Sequence, residues 1–148
     1  MIQLRTLLIA SAIAATVGLT ACSSTAMGTT TAIAAKLSGA NEVPPVTTAG
    51  TGMLDASFNK ATSVLTYTVT YSGLSGPVAA GHFHGPAMAG ANAGVALGFS
   101  GSMESPIKGS ATLTAAQAAD LLAGKWYVNL HTAANKGGEI RVQATAAQ

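Results

Sequence analysis

The amino-acid sequence predicts an all-β domain, an antiparallel β-sandwich or barrel that contains one short helix. Short runs of β-type residues follow one another along the chain, separated by glycine, proline and asparagine. The clearest run, residues 64–71 (VLTYTVTY), alternates large apolar or aromatic side chains with threonine, which is the period-2 pattern of a half-buried strand. Many short strands with glycine-rich turns between them are typical of antiparallel sandwiches and barrels.

Eight segments have this β character, and one segment is helical. The helix is predicted at about 115–123, because Thr114 and Gln117 have the spacing of a capping box and Gly124 stands where a helix commonly ends in the left-handed conformation. Strands are expected at residues 30–37, 52–58, 64–71, 78–84, 94–99, 108–113, 126–132 and 139–145.

Length and charge restrict the function classes. The chain has 148 residues, and one hydrophobic core typically organises ~100–200 residues, so we expect a single folded domain. The formal net charge is +2, and the seven lysines and arginines form no basic run. Because nucleic-acid binding depends on neutralising phosphates with clustered cations, we expect no nucleic-acid partner.

The N-terminal residues have the organisation of a bacterial export signal. Arg5 is followed by an uncharged and mostly apolar stretch at 7–19, which is shorter than the ~20 residues of a membrane-spanning helix. This stretch ends in Leu-Thr-Ala-Cys, which resembles the lipobox, so that Cys22 would be acylated and become the new N-terminus. Cys22 is the only cysteine of the chain, which excludes an intrachain disulfide. The alternative is an ordinary secretory signal and a free thiol.

These features predict a division into three parts: a lipoprotein signal peptide at 1–21, a lipidated N-terminus and flexible tether at 22–31, and a β domain at 32–148. The acyl chains would make the membrane a partner and hold the protein in the bacterial cell envelope. Ser23, which follows the cysteine, favours the outer membrane.

The three histidines of the chain are the candidate metal ligands. His82 and His84 are two residues apart in a predicted strand and therefore share a face, while Phe83 points to the core. His131 lies on the outward face of another predicted strand. If these two strands are neighbours, the three imidazoles converge, and three neutral imidazoles suit copper or zinc with one coordination position left open. The alternative is that they are surface histidines bonded to their neighbours.

Polar residues on the predicted strand faces complete the candidate cluster. The alternation places Tyr127, Asn129 and His131 outward on one strand and Glu139 and Arg141 outward on the next, where we expect them to be exposed. A polar partner such as Asn129 or Glu139 can fix the tautomer of a metal-binding histidine. The same residues, with Glu42, can instead form a structural polar cluster.

No constellation for covalent catalysis is present, so we expect the protein not to be an enzyme. Cys22 is assigned to the lipid, and there is no Gly-X-Ser-X-Gly motif. The carboxylates show no recognisable paired spacing. A metal-dependent activity on an unknown substrate is the remaining enzymatic alternative.

Three segments together carry a family resemblance: LSGANEVPPV at 37–46, GHFHGPA at 81–87 and YVNLHTAANKGGEIRVQ at 127–143. In this order they resemble the CHRD domain, which is named for chordin and is found in many exported microbial proteins. The resemblance covers about residues 32–145 and implies an all-β, immunoglobulin-like or barrel-like fold and an extracytoplasmic location. Phe83, Lys136 and Val142 depart from the usual CHRD pattern, and none of them replaces a candidate ligand.

Two functions therefore remain open. The first is a membrane-anchored envelope lipoprotein that binds copper or zinc through His82, His84 and His131. The second is a non-enzymatic module that docks an envelope protein or a glycan, with structural histidines. A strand carrying His-X-His also resembles the copper strand of Cu/Zn superoxide dismutases, but the chain lacks the further histidines that those enzymes need. Metal binding predicts three imidazole nitrogens within ~3–4 Å of one another around a common point.

Overall fold

The computed structural model describes residues 29–147. The predicted signal peptide, Cys22 and residues 22–28 of the tether lie outside the described residues. Eight strands and one helix follow in order: β1 (Thr30–Ser38), β2 (Thr51–Asn59), β3 (Val64–Ser72), β4 (Val78–His84), β5 (Val95–Gly98), β6 (Ile107–Thr112), α1 (Ala115–Leu122), β7 (Trp126–Thr132) and β8 (Ile140–Ala144). The prediction of an all-β fold with one short helix is confirmed, and a strand lies at each of the eight predicted segments.

All eight strands belong to one antiparallel sheet, in the order β5-β4-β7-β8-β1-β2-β3-β6. Two four-stranded halves meet where β8 lies beside β1. The strand ladder between the halves is short and consists of the pair Ser38–Arg141 and the isolated bridge Ile33–Ala146. The sheet curls, so that both halves contribute to one hydrophobic core.

The alternating pattern of each strand builds this core. In β2 and β3, Leu54, Phe58, Leu65 and Val69 are at most 2 % exposed, while the threonines between them face outward or lie half-buried. Phe83 of β4 is fully buried, and its ring packs edge-on against Tyr67 at a centroid distance of 5.2 Å. Burying apolar surface at ~25 cal/mol per Å² supplies the main driving force for this arrangement.

The helix has the predicted start. The Thr114 side chain accepts a hydrogen bond from the Gln117 backbone N–H, and the Gln117 side chain accepts one from the Thr114 N–H. Gly124 follows the helix in the left-handed conformation (φ +68°). On the inward side Leu121 is 1 % exposed, so the helix packs on the core through this residue. Within residues 29–147, no helix is both long enough and apolar enough to cross a membrane.

Glu139 fastens the β7–β8 hairpin to two loops of the other half of the chain. Its carboxylate is fully buried and accepts hydrogen bonds from the Thr48 and Thr132 hydroxyls and from both the hydroxyl and the backbone N–H of Ser75, at 2.5–2.8 Å. Burial by itself raises the pKa of this carboxyl, but the hydrogen bonds outweigh it and lower the pKa to about 2. Glu139 therefore holds the scaffold together and makes no hydrogen bond to any of the three histidines.

We expect Glu139→Gln to lower the free energy of unfolding by roughly 1–3 kcal/mol at neutral pH, because an amide cannot accept all four bonds. The native-state pKa of about 2 lies below the ordinary value of 4.5, so the carboxylate contributes its full stability above pH 4.5 and loses it as the pH falls towards 2. Urea unfolding between pH 7 and pH 2 measures both effects. Glu104→Gln, at an exposed carboxylate, is the matched control. Equal losses in the two variants would contradict this role for Glu139.

Candidate metal site

Strands β4 and β7 are neighbours, and this brings the three histidines together. The ladder pairs His82 with Asn129, Ala80 with His131 and His84 with Tyr127. Because Phe83 points into the core, His82 and His84 lie on the opposite face of the sheet, and His131 shares that face. The three imidazoles therefore converge, as the sequence predicted for the case that these two strands are neighbours.

The imidazoles form a compact group. His82 Nδ1 and His131 Nε2 are 3.1 Å apart, and one nitrogen of each histidine lies within 4.8 Å of the other two. The ring centroids are separated by 5.3 Å for His82–His84, 4.9 Å for His82–His131 and 6.2 Å for His84–His131. The His82–His131 nitrogen pair thus has the expected spacing of 3–4 Å. The three nitrogens as a group are spread over up to 4.8 Å, which is wider than expected.

Backbone carbonyls define the tautomers of two of the rings. His84 Nδ1 lies 3.0 Å from the Ala93 carbonyl oxygen, and His131 Nδ1 lies 2.9 Å from that of Lys136. A carbonyl can only accept, so in both neutral rings Nδ1 carries the hydrogen and Nε2 keeps its lone pair. The Nε2 atom of His84 is buried and has no hydrogen-bond partner. This is the bonding pattern of metal-binding histidines, whose second nitrogen is usually held by a carbonyl or a carboxylate.

The surroundings favour the neutral form of two of the histidines, His82 and His131. Burial lowers the pKa of His82, and the neighbouring His131 and His84 lower it further. Burial also lowers the pKa of His131, and this effect exceeds the opposing effect of its hydrogen bond to the Lys136 carbonyl. A neutral imidazole has a lone pair on one ring nitrogen, which is the form that a metal ion requires. In the metal-free site His131 Nε2 accepts a hydrogen bond from His82 Nδ1, so His82 must move its hydrogen to Nε2 before its Nδ1 can bind a metal ion.

Protein covers much of the polar strand face beside the histidines, so the prediction that Tyr127, Asn129, Glu139 and Arg141 are exposed was wrong, whereas His82 and His131 are half-buried. Asn129, Arg141, Tyr127 and Glu139 are at most 3 % exposed. Two loops fold back over this face, residues 39–46 and residues 85–94. The alternation of the strands was correct, but a strand pattern does not show which loop covers a polar face.

Arg141 and the second loop hold each other in place. The Arg141 guanidinium lies 3.4 Å from the centre of the Tyr127 ring, a cation–π contact. It also donates hydrogen bonds to the Ala91 carbonyl at 2.6 Å and to Asn92 Oδ1 at 2.9 Å. Asn92 Nδ2 in turn donates to the Val43 carbonyl, which ties the second loop to the first.

Glu42 and Asn129 lie in the same buried layer. Burial raises the pKa of Glu42, although the positive charge of Arg141 and the neighbouring Asn129 side chain act against it. Glu42 Oε1 and Asn129 Oδ1 are both buried without a hydrogen-bond partner, while Asn129 Nδ2 donates to the Gly137 carbonyl. The structure therefore brings Glu42, Asn129 and Arg141 together beside the histidines. Glu139 is not part of this group, because its carboxylate is bonded to Thr48, Ser75 and Thr132.

Tyr127 and the backbone carbonyls of Ala93 and Lys136 also belong to the site, although the sequence did not predict them. The Tyr127 ring stacks on the His84 ring, with 4.8 Å between centroids and 4° between planes. Its hydroxyl accepts a hydrogen bond from the Ala93 N–H. Tyr127 shares a strand face with His131, which was visible in the sequence, but its contact with His84 depends on the strand register.

Comparison with known families identifies the domain. The sequence model of the CHRD domain matches residues 33–144. The chain belongs to the CHRD domain family. This confirms the resemblance, and the matched region contains all three histidines and all of strands β2 to β8. No curated protein and no solved structure matches the chain.

The arrangement of the CHRD domain's imidazoles fits a transition-metal ion. Zn–N bonds of about 2.0–2.1 Å place two tetrahedral ligands roughly 3.3 Å apart. The 3.1 Å separation of His82 Nδ1 and His131 Nε2 is close to this, and the wider separations need side-chain shifts on the order of 1 Å. His84 Nε2, buried and without a partner, supplies the third lone pair.

In the metal-free CHRD domain, with chelator present, we expect His82 and His131 to titrate below the usual midpoint of 6.5, because burial disfavours the charged form. Since their native-state pKa values are lowered, the unfolded chain binds more protons below pH 6.5, and the stability falls as the pH drops further. NMR titration of the ring protons measures the midpoints. His131→Ala removes a neighbour that lowers the pKa of His82, so the His82 midpoint should rise. Midpoints at or above 6.5 in the unmodified protein are the contrary result.

Proposed function

We propose that this CHRD domain binds a copper or zinc ion through His82, His84 and His131. The observation that carries the proposal is the convergence of three ring nitrogens within 4.8 Å on adjacent strands, one of them buried with no hydrogen-bond partner. An unpartnered buried polar atom costs about 1–3 kcal/mol, so a structure that keeps one gains by giving it a ligand.

The donor set supports these two metals. Imidazole nitrogen suits zinc and copper, whereas magnesium and calcium prefer oxygen ligands. No carboxylate belongs to the group of ligating atoms in the described residues, so the three protein ligands are neutral. Three such ligands leave a coordination position for water or for a group on another molecule. An open coordination position suits storage, sensing or transfer of the ion. No residue of the site indicates a substrate for catalysis.

The protein is further proposed to act from the cell envelope, anchored to the membrane through Cys22. Support comes from the sequence alone: a short apolar stretch, a lipobox-like Leu-Thr-Ala-Cys and a single cysteine at its end. Ser23 after the cysteine favours the outer membrane. An anchored site would meet ions that enter the envelope.

A second candidate is a module that docks an envelope protein or a glycan. It is favoured by the exposed Asn92 side chain, which accepts a hydrogen bond from the buried Arg141 and donates one to the Val43 carbonyl, and so joins two adjacent loops into one ordered surface. Ordered loops on a rigid β scaffold are common binding elements. In this alternative the histidines only support the loops.

Metal titration separates the two candidates. We expect the mature chain to bind Cu²⁺ or Zn²⁺, and the variant with all three histidines replaced by alanine to bind at least about 100-fold more weakly, because no ligand remains. Both proteins should carry Cys22→Ser, since a free thiol is itself a metal ligand. Calorimetry or competition with a chromophoric chelator measures the affinity.

The single variants His82→Ala, His84→Ala and His131→Ala should each weaken binding by about 10-fold or more, since each removes one of three ligands. Circular dichroism checks that every variant is folded. If the triple variant binds as tightly as its parent, the metal proposal is wrong and the docking module is the better account.

A further inference from the structure

Arg141 is a buried cation without an acidic partner at contact distance. It is 2 % exposed, and the one salt bridge among residues 29–147 joins Lys125 and Asp120. Removing a charge from water is costly unless other contacts compensate, so the contacts that Arg141 does make indicate what it is for. They are the face of Tyr127, the Ala91 carbonyl and the Asn92 side chain.

The first path from Arg141 to the histidines is a stack of three planar groups. Strand β7 lies between β4 and β8, so the Tyr127 ring stands between His84 on one side and Arg141 on the other. The guanidinium is 3.4 Å from the ring centre, and the His84 ring lies parallel to the tyrosine at 4.8 Å. The Tyr127 ring thus contacts both the Arg141 guanidinium and the His84 ring.

The second path runs through the loop at 85–94. Arg141 fixes Ala91 and Asn92, and the next residue, Ala93, donates its N–H to the Tyr127 hydroxyl and accepts from His84 Nδ1. This carbonyl determines that Nδ1 carries the hydrogen and that Nε2 is free. Both the orientation and the tautomer of His84 therefore depend on groups that Arg141 holds.

We propose that Arg141 is a positioning residue of the metal site, which acts on His84 through the Tyr127 ring and the Ala93 carbonyl. The inference rests on the metal site proposed above and adds a specific part to it: a buried cation that prepares one ligand. This positioning role of Arg141 is separate from holding the fold together, because its effect on metal binding passes through His84 alone.

A double-mutant cycle between Arg141 and His84 tests this role. We expect Arg141→Gln to weaken Cu²⁺ binding by about 10–100-fold, the usual effect of losing a group that orients a ligand. In a His84→Ala background the same substitution should change the affinity by less than about 2-fold, because the residue through which it acts is gone. Equal losses in the two backgrounds would overturn the proposal.

Spectroscopy and two further variants add readouts that a purely structural role would not move. The electron paramagnetic resonance spectrum of bound Cu²⁺ should show three coupled nitrogens in the parent and two in Arg141→Gln.

Arg141→Lys keeps the cation over the ring and should recover part of the affinity. Gln143→Ala removes one hydrogen bond to the Ala87 carbonyl, near the beginning of the same loop, and one to the Gly124 carbonyl after helix α1. It should retain the parent affinity within about 2-fold. A loss in Gln143→Ala equal to that in Arg141→Gln would show general loop fastening and contradict the proposal.

A metal-free measurement keeps this inference distinct from the proposed function. Long-range ¹H–¹⁵N NMR reports the tautomer of His84, which should be the Nδ1–H form in the parent and a mixture in Arg141→Gln. If the parent binds neither copper nor zinc, the proposed function fails, and an unchanged tautomer in the variant then also overturns the role of Arg141. If Arg141→Gln does not fold, Tyr127→Leu breaks the same stack and takes its place in the cycle.

Discussion

The pairing of strand β4 with strand β7 is the constraint on which the candidate site depends. His82 and His131 are 49 residues apart in the chain, and only this antiparallel ladder brings their ring nitrogens to 3.1 Å. The register is itself fixed by the core, because Phe83, Val128 and Leu130 are completely buried on the inner face. A slip by one residue would turn every one of these side chains to the wrong side, so the apolar residues determine where the histidines meet.

The covering loops give the site its chemical character. If the polar strand face were open to water, the imidazoles would be ordinary surface groups with many water partners. Instead the loops at 39–46 and 85–94 bury Glu42, Asn129 and Arg141 and supply the Ala93 carbonyl to His84. Burial of the His84 ring leaves its Nε2 atom without a hydrogen-bond partner.

Most of the fold was predictable because its signals are local. Short β-type runs between glycine, proline and asparagine identified all eight strands, with clear period-2 alternation at 64–71, and the Thr114–Gln117 capping box identified the helix. The shared face of His82 and His84 follows from the same alternation. The coverage of that face was not predictable, since the positions of two loops depend on Arg141, whose partners are 49 and 50 residues away. The role of Glu139 was missed for the same reason, because Thr48 and Ser75 are distant in sequence and carry no motif.

X-ray absorption spectroscopy of the mature chain loaded with one equivalent of Cu²⁺ or Zn²⁺ tests the central claim most directly. The Cys22→Ser form should be used, so that the Cys22 thiol cannot contribute a sulfur ligand. We predict three imidazole nitrogens at about 2.0 Å, with no sulfur and with one light atom from solvent. Fewer than three imidazoles in the first coordination sphere, or loading that does not depend on His82, His84 and His131, would contradict the account.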